Sequence, residues 1–420
     1  MNPSPFRLVL FGVLGAVAAV PAQPGWGAPI PIDTSTEPKQ SPAVALNDFG
    51  PNGHLAWVSG EEVSVATFDS VTRAVGTPTK LFDGTGFCSQ CVDDLHLHAD
   101  GLGDATAILQ IATDPARTQV VAFRFASATG WTTAGRLVDW PVNNLTVDLQ
   151  GTLLGNVYVT VTPPVPSLET TLFHAPPGSS TYSAGQALPS YTPFAVTGFG
   201  AFPLAANGLH VATILEGITQ RVMLSSGPGS AANPDFPIGI APTSTYSIEH
   251  LFDLGGNWTI VAASPAGLFA RTRVAATGAF AAFSPITTRV ASPEGPRLGA
   301  DAAGNVFVAW QDATLGTLWL KRLNRATGTW SADVNTTLVP TDFDLAVEPT
   351  TGRADLLVAL ASGSLVSLEL SPALTVNAEV IDTGVRAVRL ATDWLGNRLA
   401  IYTALGAAGT SSVIARVFAP

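Results

Sequence analysis

Eight stretches of this chain follow one pattern: an alternating apolar segment, a polar turn that ends in glycine, and a second apolar segment. In chain order they read VALNDFGPNGHLAWV, LHLHADGLGDATAIL, LTVDLQGTLLGNVYVTV, FGAFPLAANGLHVATIL, IEHLFDLGGNWTIVA, PRLGADAAGNVFVAW, FDLAVEPTTGRADLLVAL and VRLATDWLGNRLAIY. The turn glycines Gly53, Gly103, Gly155, Gly208, Gly256, Gly304, Gly352 and Gly396 stand roughly 44 to 53 residues apart. A unit of that size cannot bury its apolar faces alone, so the copies must pack on one another.

The unit PRLGADAAGNVFVAWQDATLGTLWLKRLNRATGTWSADVNTTLV predicts four strands: 297–300, 306–311, 317–323 and 333–339. Asp301, Gly304 and Asn305 form the first tight turn, where Asp supplies a local acceptor and Gly or Asn accepts positive φ. Each such turn has too few ligands for a calcium loop and reads as structural punctuation. Charged residues are 12% of the chain against a usual figure of about 25%, while apolar residues are 46%, which suits many short strands joined by turns. The expected fold is all-β, a single β-propeller of about eight four-stranded blades over residues 41–420.

The last unit supplies three strands and then ends, whereas a closed ring needs a fourth. The otherwise unassigned segment APIPIDTST, within residues 23–40, is expected to pair with the final blade as its outer strand and so cover an exposed sheet edge. Before it, Arg7 precedes an apolar run from Leu8 to Val20 and the small residues around Val20, Pro21 and Ala22. That is the form of a secretory signal over residues 1–22, with cleavage after Ala22 or alternatively after Ala28. About thirteen apolar residues fall short of the roughly 20 that a spanning helix needs. The expected product is a monomer, secreted or periplasmic, with no membrane attachment after cleavage. A net charge of −11 with only Lys39, Lys80 and Lys321 as lysines offers nucleic acid no basic surface.

The stretches VVAFRFASATGWTT and LWLKRLNRATGTWS resemble the bacterial-neuraminidase repeats and Asp-box turns of sialidase-like propellers, with Gly130 and Trp131, and Gly328 and Trp330, as the matching positions. The resemblance implies a fold. A Phe-Arg-Ile-Pro stretch is absent, so no arginine takes the role of holding a substrate carboxylate, and none of the five tyrosines matches the nucleophile.

Serine-hydrolase, zincin, P-loop and dinucleotide motifs are absent. The sequons at Asn144, Asn257 and Asn335 are short enough to arise by chance. What remains is a column of ionisable residues four positions before the turn acid: His96, Glu249, Arg297, Asp344 and Arg389. Apolar residues follow each of several members, as Leu97, Leu298, Leu345 and Leu390, in keeping with strand alternation. Two readings stay open: a polar site at a channel mouth for a small anionic or sugar-like ligand, with Arg297 and Arg389 as its cations, or ion pairs that tie blades together. His98, two residues beyond His96, joins the candidate ligand-binding set.

Cys88 and Cys91 lie just ahead of these histidines in GFCSQCVDDLHLH. An oxidising compartment favours a Cys88–Cys91 disulfide that shapes the loop; zinc held by Cys88, Cys91, His96 and His98, or free thiols, are the alternatives. No cofactor is expected. The function expected is that of a non-enzymatic binding or scaffold protein for a glycan, protein or small anionic ligand. The alternative is a secreted glycoside hydrolase using a carboxylate pair drawn from Glu61, Glu62, Asp93, Asp94, Glu249, Asp342 and Asp344.

Overall fold

The computed structural model describes residues 25–47, 50, 52–85, 91–101, 103–114, 117–142, 145–151, 155–163, 171–187, 195–201, 209–214, 221–225, 236–237, 247–277, 281–292, 295–406 and 410–419. Among them the strands assemble into eight antiparallel sheets, seven of which are built only from neighbours in sequence. Their first strands are Lys39–Leu46, Val92–Ala99, Thr146–Gly151, Ala195–Ala201, Ser247–Phe252, Arg297–Ala300, Pro340–Val347 and Val385–Thr392. Each first strand packs against that of the next sheet, and Lys39–Leu46 also packs against Val385–Thr392.

Among the strands whose burial is described, second strands are the most buried, as Val157–Thr162 and Trp258–Ser264 are throughout. In Val306–Gln311 every residue but the last is buried, and Ala354–Leu360 repeats the pattern. First strands are less buried, as in Val385–Thr392 and Arg297–Ala300. The apolar core is divided into layers between sheets. Val58, Val65, Leu95 and Leu109 join the first two sheets, and Val308, Trp310, Val261 and Leu268 join the fifth and sixth. Leu46, Leu55 and Trp57 of the first sheet pack with Leu399, Ile401 and Val413 of the eighth.

The eighth sheet contains Val385–Thr392, Arg398–Leu405 and Ser411–Ala419, and its outer position is filled from the other end of the chain. Gly25–Trp26 pairs with Ala419 and Phe418, and Ile30–Asp33 with Ala415 through Val413. The expected pairing of APIPIDTST is thus present, with an additional two-residue strand ahead of it. Asp33 then reaches the first sheet. Its carboxylate accepts a 2.8 Å hydrogen bond from Trp57 Nε1 and lies 3.2 Å from the ammonium of Lys39, whose side chain has no solvent exposure.

In the sixth sheet the first two strands fall where the sequence put them, and the third is Leu318–Asn324. The expected outer strand over 333–339 is a correction: two short pieces, Thr329–Trp330 and Val334–Asn335, pair separately with Leu318–Asn324. Local turns prevent one continuous strand. Asn335 Oδ1 accepts the Thr337 amide at 2.8 Å, and Thr337 itself takes φ of 62°, so the strand ends there in a turn, after which Leu338 accepts the Leu318 amide at 2.8 Å.

The strand-joining turns use their acids as the sequence implied. Asp301 accepts the Asn305 amide at 2.9 Å and its side-chain nitrogen at 2.7 Å; Asp253 with Asn257, and Asp393 with Asn397, do the same. Asp253 and Asp301 also touch the next sheet. A Cβ on Gly304 would meet Asp253 at 2.5 Å and one on Gly352 would meet Asp301 at 2.7 Å, while both glycines hold positive φ, 78° and 67°. The repeated glycine is therefore required twice, by backbone conformation and by the neighbour's carboxylate.

Candidate functional site

The column of His96, Glu249, Arg297, Asp344 and Arg389 comes from the first strands of the second, fifth, sixth, seventh and eighth sheets. Those strands pack on one another from sheet to sheet, and the charges of Arg297 and Asp344 act on Glu249 while those of Arg389 and Arg297 act on Asp344. Arg297 Nη1 lies 4.0 Å from Glu249 Oε1, linking consecutive sheets. Burial pushes the Glu249 carboxyl up to about 7, against the pull of Arg297 and with the added repulsion of Asp148 and Asp344. Glu249 nevertheless keeps 40% of its side chain exposed.

Asp148 is the residue the sequence reading missed. It stands on Thr146–Gly151 of the third sheet, and its charge acts on both Glu249 and His96. The column was counted back from the turn acid, and the third unit has Thr152 where others carry that acid. Counting from Gly155 instead would have found it.

His96 Nε2 is 3.1 Å from Asp94 Oδ2. Burial alone would lower its pKa, but the hydrogen bond and charge of Asp94 and the charge of Asp148 together hold it above its ordinary value. Asp94 in turn is held below the ordinary carboxylate range: burial opposes this, but His96, the Leu95 amide and the charge of Arg389 outweigh it. Asp94 and Asp342 occupy the same position in their units, two residues before the column.

Asp342 and Asp344 tie the seventh sheet to the eighth. Asp342 Oδ2 accepts the Val388 amide at 3.0 Å and Arg389 Nη1 at 2.9 Å. Asp344 Oδ2 accepts the Leu390 amide at 2.9 Å and its Oδ1 the amide of Leu345 at 3.0 Å. Burial pushes the Asp344 carboxyl up, opposed by Arg389, the Leu390 amide and Arg297. Both carboxylate oxygens of Asp344 are thus committed to backbone amides, so this member acts as a strut between sheets. Both arginines are also engaged, Arg389 by Asp342 and Arg297 by Glu249 and, at 5.7 Å, the ring of Phe343.

His98 departs from the expectation that pairs it with His96. Its ring packs directly where a Cβ on Gly151 of the third sheet would stand. Burial, aided by the charge of Arg124, pushes its pKa down to about 4, so it is neutral and serves the sheet contact. In the equivalent place between the sixth and seventh sheets the sizes are reversed, with Gly299 against Val347. Among the described residues no three His, Cys, Asp or Glu side chains gather as metal ligands. The disulfide expected between Cys88 and Cys91 lies outside the described residues, because Cys88 is not among them; Cys91 is buried beside Val92.

No family model matches this chain, and no curated protein matches it. Solved structures do. The BP39L lectin from Burkholderia pseudomallei superposes with a TM-score of 0.53 at 14% identity, over 81% of this chain and 99% of that one. The Dos1 propeller gives 0.60 at 7% identity over 92% and 94%. A structure from a study of two prolyl endopeptidases gives 0.52 at 11% identity over 90% of this chain and 55% of that one. These identities carry the fold alone, and the fold is a β-propeller. They do not single out the sialidase kind.

Proposed function

We propose that the chain closes into one eight-bladed propeller and works as an exported, non-enzymatic binding protein that takes a hydroxyl-rich, sugar-like ligand at the channel mouth. Closure is supported by the contact between the first and eighth sheets and by Asp33, which pairs with strands of one and bonds side chains of the other. Export is supported by the Leu8–Val20 run behind Arg7, and in that compartment Cys88 and Cys91 would oxidise together. Cleavage after Ala22 would retain Gly25 and Trp26, which pair with the last strand, whereas cleavage after Ala28 would remove them.

The observation that carries the ligand class is that both arginines of the column already face carboxylates. With Asp94, Asp148 and Asp344 added, carboxyls outnumber cations in the channel. A simple anion is therefore disfavoured at neutral pH, and alternating carboxylate and guanidinium groups suit a ligand that both donates and accepts hydrogen bonds. A lectin among the propeller neighbours agrees with this chemistry. An arrayed glycan screen tests it: the wild-type protein is expected to retain a neutral glycan that the Arg297→Ala protein loses by at least about tenfold. Equal retention by the two proteins would overturn the assignment.

The glycoside hydrolase reading keeps one supporting observation, the Glu249 carboxyl near 7, a value suited to a general acid. Aryl glycosides offered to wild-type and Glu249→Gln protein are expected to stay intact with both. Turnover abolished by the substitution would favour the hydrolase.

A further inference from the structure

Glu249 and Arg297 stand on consecutive first strands with carboxyl and guanidinium 4.0 Å apart, and Asp148 and Asp344 act on the same carboxyl from the third and seventh sheets. The strands packed on Ser247–Phe252 bring no further charge except Arg297: Ala195–Ala201 and Trp258–Ser264 contain no ionisable residue, and His250 on the same strand is held neutral with a pKa of about 4. Around His96, Asp94 and Asp148 supply negative charge. Lys39 on the adjoining strand is bound to Asp33, His54 is neutral with a pKa of about 4, and Asp114 ends the partner strand.

We propose that this channel is a proton-switched receptor for carboxylate-bearing sugars, which enter when Glu249 and His96 are protonated and are refused when they are not. The inference rests on the channel mouth being the ligand site. A proton on Glu249 removes one of the negative charges that face Arg297, Asp344 being another, and a proton on His96 adds positive charge beside Asp94 and Asp148. Both changes move the channel potential in the same direction. Burial pushes the Glu249 carboxyl up to about 7, and Asp94 and Asp148 hold His96 above its ordinary value, so acid favours both protonated forms. Arg297, which Glu249 faces at 4.0 Å, is the group that a ligand carboxylate would meet in acid, while Arg389 stays with Asp342.

Isothermal titration with D-glucuronate and D-glucose at pH 6.0 and 8.5 tests the switch, since a sugar carboxylate stays ionised at both values. Glucuronate is expected to bind about tenfold more tightly at pH 6.0, the scale of one unit charge removed at short range, while glucose binds equally at both. In Glu249→Gln protein, glucuronate affinity at pH 8.5 is expected to rise to within about threefold of its pH 6.0 value, the remainder belonging to His96. Glucose binding accompanied by pH-independent glucuronate affinity would overturn the switch alone, and so would a full tenfold response in the Glu249→Gln protein. Failure of both sugars at both pH values would overturn the channel site with it.

Discussion

His98 and Gly151 show how a repeat tolerates its own irregularities. The histidine occupies the space that a Cβ on the glycine would need, and Val347 against Gly299 solves the same problem with the sizes exchanged. Gly151→Ala should therefore destabilise the protein by about 1–3 kcal/mol through overpacking. In a His98→Ala background most of that cost should vanish, a coupling that denaturant melts of the four proteins in the cycle would measure. The sequence displayed both residues but not their contact, because they lie on different sheets and the partner of a bulky side chain is set by packing between units. Asp148 was obscured for a smaller reason: its unit lacks the turn acid used as a ruler. The remaining column members could be read by counting, since each stands four residues before its turn acid.

First strands and turns were legible from the sequence, and outer strands were not. Arg297–Ala300 and Val306–Gln311 announce themselves by apolar patterning and the Asp-Gly-Asn turn between them. The outer pieces Thr329–Trp330 and Val334–Asn335 are two residues each, too short for any period, and their positions come from turns. The N-terminal segment was predictable only by elimination, as the strand the last unit lacked. Its energetic weight lies in Asp33, which faces a Lys39 side chain with no solvent access. Asp33→Ala would leave that ammonium buried without its carboxylate, at a cost of roughly 3–5 kcal/mol. Trp26→Ala, which removes the 2.9 Å bond to Ser367 and the edge contact with Phe418, should cost less, about 2 kcal/mol, because Trp26 is half-buried. Thermal melts of both variants check the order; an Asp33→Ala protein as stable as wild type would contradict the latch.

For the molecule as a whole, repeat number and a leftover strand pointed to a ring, while the chemistry of the first-strand column depended on distances between units that no spacing encodes. Acid stability follows from the interior. Burial holds His54 at about 4, and His98 and His250 are likewise pushed down to about 4. Below pH 6.5 the unfolded chain takes up protons that these folded histidines refuse until about pH 4, so stability is retained above that window and lost as pH falls through it. His54, fully buried between Phe125 and Trp131, should account for about 3 kcal/mol at most. His54→Phe should flatten the difference between melts at pH 7.5 and 4.5; an unchanged slope would assign the acid sensitivity elsewhere.

The claim on which the rest depends is that ligands enter the channel where Glu249 and Arg297 face each other. A crystal structure of the protein soaked with a neutral glycan that it retains would test it most directly. The account predicts sugar hydroxyls within hydrogen-bond distance of the Glu249 carboxyl and the Arg297 guanidinium. A glycan seated on the outer strands or between two sheets, with the channel holding none, would contradict it.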